Sequence, residues 1–188
     1  KDNTTKVSEY IQTCRSMGIA ILPPDINEGE GNFSVSNGAI RYGMSAIKSI
    51  GAPVIRAIVE ERTQHGVYQS LKDFITRVGS REVNKRAVEN LIKSGAFDCV
   101  AGSRRQKTLI YPMIMDQEAQ ERKGSVAGQI SLFDLAPEEN KKEYEIRMPD
   151  VPEFAKGELL AFEKEVLGVY ISGHPLEEYE KKWRQNIT

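Results

Sequence analysis

The sequence predicts a mainly α-helical fold, a tandem helix-hairpin-helix bundle with a short β-hairpin near the N-terminus. Three observations carry that expectation. Apolar residues recur at i, i+3, i+4 and i+7 along most of the chain. Two glycine-containing breaks, Ser49-Ile50-Gly51 and Ser94-Gly95-Ala96, interrupt helical runs about 44 residues apart. A single Asn-Gly pair, Asn37-Gly38, separates two short β-prone runs.

Taken in order, Val7, Tyr10, Ile11 and Cys14 predict an amphipathic helix over Lys6–Met17 that Gly18 stops. Ile19–Leu22 is a short apolar run ended by Pro23-Pro24. Phe33–Val35 and Ala39–Tyr42 flank Ser36-Asn37-Gly38 and should form the only sheet. From Met44 onward the pattern is helical. Pro53 suits a first helical turn, and Val54, Ile55, Ile58 and Val59 then share one face up to Arg62. Ser70-Leu71-Lys72-Asp73 reads as a capping box ahead of Leu71, Phe74, Ile75 and Val78. Asn84 caps a helix whose Ala87, Val88, Leu91 and Ile92 face inward. A further helix starts near Ser103, and Pro112 should kink or end it.

Over residues 117–150 the periodicity fades into Gln, Glu, Lys, Ser, Gly and Pro, the composition of a linker or long mobile loop. Beyond Pro152, Leu159, Leu160, Glu163, Val166 and Leu167 predict a last amphipathic helix. Ser172-Gly173-His174-Pro175 then turns the chain, and a short charged helix runs to about Trp183. The expected organisation is therefore 1–43 with the β-hairpin, 44–116 as the tandem module, 117–150 as a mobile segment and 151–188 as C-terminal helices.

At 188 residues, 39% hydrophobic and 28% charged, the chain has an ordinary globular composition rather than a disordered or fibrous one. No apolar run approaches the roughly 18–20 residues that span a bilayer. The start, without Met or a signal-peptide core, suggests a piece of something larger. Cys14 and Cys99 are too few for a disulfide framework and read as small buried hydrophobes in a reducing cytosol. His65 and His174 leave little material for a metal site, and His174, between Gly173 and Pro175, suits a turn better than catalysis.

The net charge of −1 conceals an asymmetry: residues 1–40 carry −2, 41–107 carry +7 and 108–188 carry −6. A basic block between acidic ones is the footprint of contact with a polyanion, or equally of a solvated helical surface. Lys48-Ser49-Ile50-Gly51-Ala52, followed by Arg56, sharpens the first reading. In such a hairpin, small residues let the backbone approach a phosphate, and N–H groups at the next helix's N-terminus bind its oxygens. Lys93-Ser94-Gly95-Ala96 is a looser copy, and Lys85, Arg86, Arg104, Arg105 and Lys107 surround it. The plain alternative is a helix–turn–helix connection in which glycine ends a helix. Contacts of this kind position a protein on duplex DNA without reading bases.

A second constellation, Gln129-Ile130-Ser131-Leu132-Phe133, interrupts the polar segment. Three large apolar side chains there call for a cover worth roughly 1.5–3 kcal/mol each. They either fold back as a local anchor or serve as a short peptide whose Leu132 and Phe133 plug a partner's pocket.

These two pieces, in this order, resemble the alpha subunit of bacterial DNA polymerase III, the C-family replicative polymerases. Gln129–Phe133 is similar to that family's internal sliding-clamp-binding motif. The likeness extends through Gly18 to Leu22-Pro23-Pro24-Asp25-Ile26-Asn27, Ile40-Arg41-Tyr42-Gly43 to Lys48, Val83–Arg86, Lys93–Asp98, and Glu163–Gly168 with Tyr170 and Ser172–Leu176. It departs at Ser49, where the family's hairpin usually has glycine. The resemblance implies the end of the fingers region plus the little-finger or clamp-binding domain. Its partners would be duplex DNA bound without sequence preference, the clamp's beta subunit, the rest of the polymerase and other holoenzyme subunits, with no membrane. A parent polymerase would use Mg2+ and dNTPs as a nucleotidyltransferase in the bacterial cytoplasm, at the replication fork on the nucleoid. No paired-Asp constellation for two-metal chemistry is recognisable, so the piece itself should hold no cofactor and catalyse nothing. The alternative is a helix-hairpin-helix repair or adaptor protein carrying a clamp peptide.

Overall fold

A computed structural model describes residues 4–79, 83–126 and 146–176. Helix α1 (Thr4–Ser16) packs through Ile11, Val7 and Cys14, whereas Tyr10 is 65% exposed. Adjacent residues lie about 100° apart on a helix, so a face centred on Ile11 turns Tyr10 outward. Strands β1 (Ile21–Leu22), β2 (Ser34–Ser36) and β3 (Ala39–Arg41) make one sheet in the order β1-β3-β2. β2 and β3 pair antiparallel with Val35 opposite Ile40. Asn37 (φ 51°) and Gly38 (φ 77°) supply the two positive dihedrals that a two-residue type I′ loop requires. The hairpin is not the whole sheet, because β1 adds on as a parallel strand with Ile21 opposite Ile40. Pro23 follows it directly, so it is too short to show an alternating pattern.

Helical structure from Met44 amounts to one 3-10 turn, Met44–Ala46, because Ile47 is extended and Ser49 takes a positive φ. Four helices then follow: α2 (Ala52–His65), α3 (Leu71–Val78), α4 (Lys85–Lys93) and α5 (Arg104–Val126). The two expected caps form: Ser70 Oγ accepts the Asp73 N–H at 3.0 Å, and Asn84 Oδ1 accepts the Ala87 N–H at 2.9 Å. Pro112 does not end α5, which runs on to Val126, so residues 117–126 are helical rather than part of a loop. An internal proline costs about 3 kcal/mol. Ile110, Tyr111, Ile114 and Met115 are all buried around it, and at roughly 1.5–3 kcal/mol each they outweigh that cost. At the other end of the expected mobile segment, Ile146 packs against the core and Pro149 O accepts from Gln106 Nε2 at 2.7 Å. Helix α6 (Lys156–Leu167) begins where Glu158 accepts the Ala155 N–H at 3.0 Å, and ends at Gly168.

The core is one cluster. Tyr68, Phe74 and Phe97 meet edge to face at 5.0 and 4.9 Å, and Ile58, Leu71, Val88 and Leu91 surround them. Ile11, Ile26 and Tyr42 join from the N-terminal segment, and Val166, Leu167, Val169 and Ile171 from the C-terminal one. Residues outside 44–116 thus complete the bundle.

Among the described residues two charged side chains lie wholly inside, Lys107 and Glu163, each 0% exposed. Lys107 Nζ donates to Phe97 O at 2.7 Å and Val100 O at 2.9 Å, and burial lowers its pKa. Glu163 accepts the N–H groups of Ile171 (2.8 Å) and Ser172 (3.0 Å), and its other oxygen lies 3.5 Å from Arg104 Nη1. Arg104 also grips Asp98 at 2.7 Å.

Replacing Arg104 with Met should cost about 3–5 kcal/mol, because it strands a buried carboxylate. Urea unfolding measures this, and a loss below about 1 kcal/mol would mean that Arg104 supports Glu163 only weakly. A second expectation concerns alkaline pH. Burial pushes the Tyr68 hydroxyl up to about 12, the Arg77 cation working against the shift. Unfolded chains ionise this phenol near pH 10 and the folded one does not, so stability is lost between about pH 10 and 12. Tyr68→Phe removes the Oη–Ile58 O bond of 2.8 Å and about 1 kcal/mol at neutral pH. The variant's stability should then fall less than wild type's over that window by about 2–3 kcal/mol.

Candidate nucleic-acid interface

The first hairpin is open and uncommitted on its outer side. Ile50 and Ile47 are buried and anchor it, while Lys48, Ser49, Gly51 and Ala52 are exposed. Ser49 sits at φ 65°, which explains why glycine is the usual residue there and why its replacement carries some strain. Two bonds fix the loop from behind: Lys48 N–H donates to Val166 O at 2.9 Å, and Asn90 Nδ2 donates to Lys48 O at 2.7 Å. The N–H groups of Ser49, Gly51 and Ala52 have no partner among the described residues. Pro53 carries none, and no side chain caps the start of the 14-residue helix α2. The result is a set of free donors at a positive helix end, with Lys48 and Arg56 exposed beside it.

The second hairpin faces inward, which corrects the expectation for six residues. Ser94, Gly95 and Ala96 are buried, the Ser94 hydroxyl donating to Leu91 O at 2.9 Å. Gly95 adopts φ 86° and its N–H returns to Ile92 O, ending α4 as a glycine C-cap. The Arg104 guanidinium fills the space beside it, so Arg104 and Lys107 act as interior pins rather than surface cations. Lys93 is held by Glu89 at 3.0 Å and Glu165 at 3.1 Å. The plain reading of this segment, a glycine-terminated connection, is the one that its geometry fits.

The +7 block is largely compensated in three dimensions. Arg41 pairs with Asp25 and Glu28, Arg62 with Glu30, Arg77 with Glu61 and Asp73, and Lys85 with Asp116 at 2.7 Å. Many of these carboxylates come from the flanking acidic blocks, so charge segregated in sequence is mixed in space. Lys48, Arg56, Arg86 and Arg105 remain exposed without a carboxylate partner among the described residues, although Arg105 also lies 5.8 Å above the Phe154 ring. Lys85 stays half exposed in its pair. Asn90 is the contributor that sequence reasoning missed. It occupies an inward position on α4, where only its polarity hints at a backbone partner.

Cys99 is exposed and Cys14 half-buried, where small buried hydrophobes were expected. His174 Nδ1 accepts the Leu176 N–H at 3.2 Å, the turn role anticipated for it. Among the described residues no cluster of His, Cys, Asp and Glu could hold a metal ion, and no helix is long and apolar enough to cross a membrane. Gln129, Ile130, Ser131, Leu132 and Phe133 lie outside the described residues, as does the helix expected near Trp183.

Comparison with known proteins adds two findings. Residues 18–107 match the helix-hairpin-helix motif family, a span that contains both hairpins. The chain is 40% identical over 181 residues to the DNA polymerase III subunit alpha of Deinococcus radiodurans, covering 95% of this chain and 13% of that protein. It is 39% identical over 177 residues to the Chlamydia pneumoniae subunit and 39% over 185 residues to that of Vibrio cholerae, covering 14% and 16% of them. The chain thus spans well under a fifth of the length of these relatives. It is similar to one segment of the bacterial DNA polymerase III alpha subunit, and residues 18–107 of this chain match a helix-hairpin-helix motif.

Proposed function

We propose that this chain is a non-catalytic part of a replicative polymerase that holds duplex DNA through its backbone and tethers to the sliding clamp. The observation carrying the DNA half is the first hairpin, with three free N–H groups, a positive helix end and Lys48 converging on one exposed loop. Such an arrangement suits a phosphate and reads no base. Ser49, Ile50, Gly51 and Ala52 shape the grip, Lys48 and Arg56 supply charge, and Lys85, Arg86 and Arg105 add weaker long-range attraction. Helix α4 supports the first hairpin from behind through Asn90.

The clamp half rests on Gln129-Ile130-Ser131-Leu132-Phe133 and on the motif it resembles. In this reading the segment is the end of the fingers and the little-finger domain, acting at the replication fork in the cytoplasm. Chemistry, Mg2+ and dNTPs belong to parts of the polymerase beyond it. Two modest contacts on one protein raise the local concentration of polymerase at the primer end.

Duplex binding should fall steeply with salt, independent of sequence, and Lys48→Ala should weaken it while leaving the thermal midpoint unchanged. The slope of log affinity against log salt should become shallower by about 0.9. Filter binding across a salt series decides this; an unchanged slope would reduce the first hairpin to a structural turn. Titration against the cognate clamp should give micromolar binding that a Leu132→Ala/Phe133→Ala variant loses. Equal binding by both proteins would assign the contact to another surface.

A further inference from the structure

A second cationic pocket lies along α1, lined by Ser8, Gln12 and Arg15, whereas Lys6, Val7 and Tyr10 line the first hairpin's groove. The pocket encloses about 330 Å³ between α1 and the turn after α6, and Ser8, Gln12, Arg15, Lys164, Tyr170 and His174 provide its polar lining. Among the described residues no carboxylate lines it. Arg15 is half-buried and has no carboxylate partner among the described residues. Its Nη2 donates to Ile171 O at 2.7 Å and lies 3.5 Å from Tyr170 O, which fixes the guanidinium, and its other N–H groups have no partner among the described residues. Lys164 Nζ reaches Gly168 O at 3.0 Å and sits 5.4 Å from the centre of the Tyr170 ring, so its ammonium is also held near the pocket. Elsewhere in the bundle the half-buried and buried arginines Arg41, Arg62, Arg77 and Arg104 are each matched by carboxylates. A partly desolvated guanidinium left without an anion, beside a second fixed cation, fits an anion supplied from outside.

The pocket's position identifies that anion. Leu167 and Gly168 line the groove of about 980 Å³ that also contains Lys48 and Ser49. Lys164 and Val169, one residue or one turn away on the same segment, line the pocket. The Lys48 N–H is itself bonded to Val166 O. The two sites are therefore neighbours along the end of α6. We propose that Arg15 and Lys164 bind a phosphate of the same DNA that the first hairpin holds, extending the grip onto α1 and the end of α6. The proposal rests on the duplex-binding reading above. Fork-and-ammonium pairing with a phosphodiester uses charge and hydrogen bonds without base recognition.

The test is duplex binding by the 188-residue chain from roughly 50 to 200 mM salt, comparing wild type with Arg15→Gln, Lys164→Gln, Lys48→Ala and Lys72→Gln. Lys72 is an exposed α3 lysine outside both sites. Arg15→Gln and Lys164→Gln should each flatten the salt slope by about 0.9, so that affinity changes about 3.5-fold less over that range, and Lys72→Gln should not. Lys164→Gln keeps the result interpretable if losing the Arg15–Ile171 bond unsettles the fold. Wild-type slopes in both pocket variants, with Lys48→Ala still flattened, would overturn this inference and spare the hairpin. Equal flattening by Lys72→Gln would also overturn it, since net charge alone would then account for the effect. Absence of duplex binding by wild type would overturn both. Inorganic phosphate should compete only weakly; saturation of the pocket by it with the duplex still bound would assign the site to a free anion instead.

Discussion

The arrangement depends on how the first turn of α5 is anchored. Lys107 has no carboxylate within ion-pairing distance among the described residues, and its charge is met by the Phe97 and Val100 carbonyls. One turn earlier, Arg104 spans from Asp98 to the buried Glu163. These contacts draw the loop between α4 and α5 against the helix bundle and tie it to α6. Buried ionic groups of this kind contribute little net stability compared with apolar packing, yet they tolerate few alternative geometries. What they specify here is orientation: α4 is held so that Asn90 meets the Lys48 carbonyl, and α6 so that the Val166 carbonyl meets the Lys48 N–H. The exposed hairpin is thus positioned by two buried elements, one on each side of the α5 anchor.

That dependence explains why two hairpins of similar sequence have opposite fates. Each has a lysine, a serine and a glycine near a helix end, and each places one residue at positive φ, Ser49 in the first and Gly95 in the second. The second is followed by Ala96-Phe97, and Phe97 is a centre of the aromatic core, so its loop must turn inward. The first is followed by Ala52-Pro53, both exposed, and is held down by Ile47, Ile50 and the two backbone bonds of Lys48. Burial of one large aromatic side chain outweighs what either loop would gain from solvation. Of the two hairpins, the first leaves its backbone N–H groups open to a phosphate and the second does not.

Local signals in the sequence translated faithfully. Ser70, Asn84 and Asn37-Gly38 each act within a few residues, through one side chain or one pair of dihedrals, and each forms as expected. Tertiary packing decided the rest. β1 exists because β3 offers it an edge, and Pro112 is carried through α5 by buried neighbours on both sides. The candidate site shows the same division. The exposure of Lys48 follows from its place beside a glycine turn, whereas Arg104 and Lys107 look no different in sequence from Arg105. Only helical phase relative to α6 separates them, and the partner that decides it, Glu163, is nearly sixty residues away. The +7 block was misleading for the same reason, since ion pairs with distant carboxylates are invisible to a running sum of charge.

The pairing of six cations of the basic block bears on how such a module would act. A surface on which every lysine and arginine was free would bind any polyanion in many orientations, with no fixed geometry. Pairing Arg41, Arg62, Arg77 and Lys93 internally leaves few cations that can engage a backbone, and Lys48 is set into a loop whose position is fixed by hydrogen bonds from behind. Few contacts make a weak grip, but fixed ones make an oriented grip. For a protein that must hold a duplex and still translate along it, orientation with modest affinity is the more useful combination, because release from each phosphate stays fast. Retention over many steps then has to come from a second tether rather than from tighter contact with DNA. The exposed hairpin and Gln129–Phe133 divide the task in that way in the proposed reading, one setting the geometry and the other the residence time.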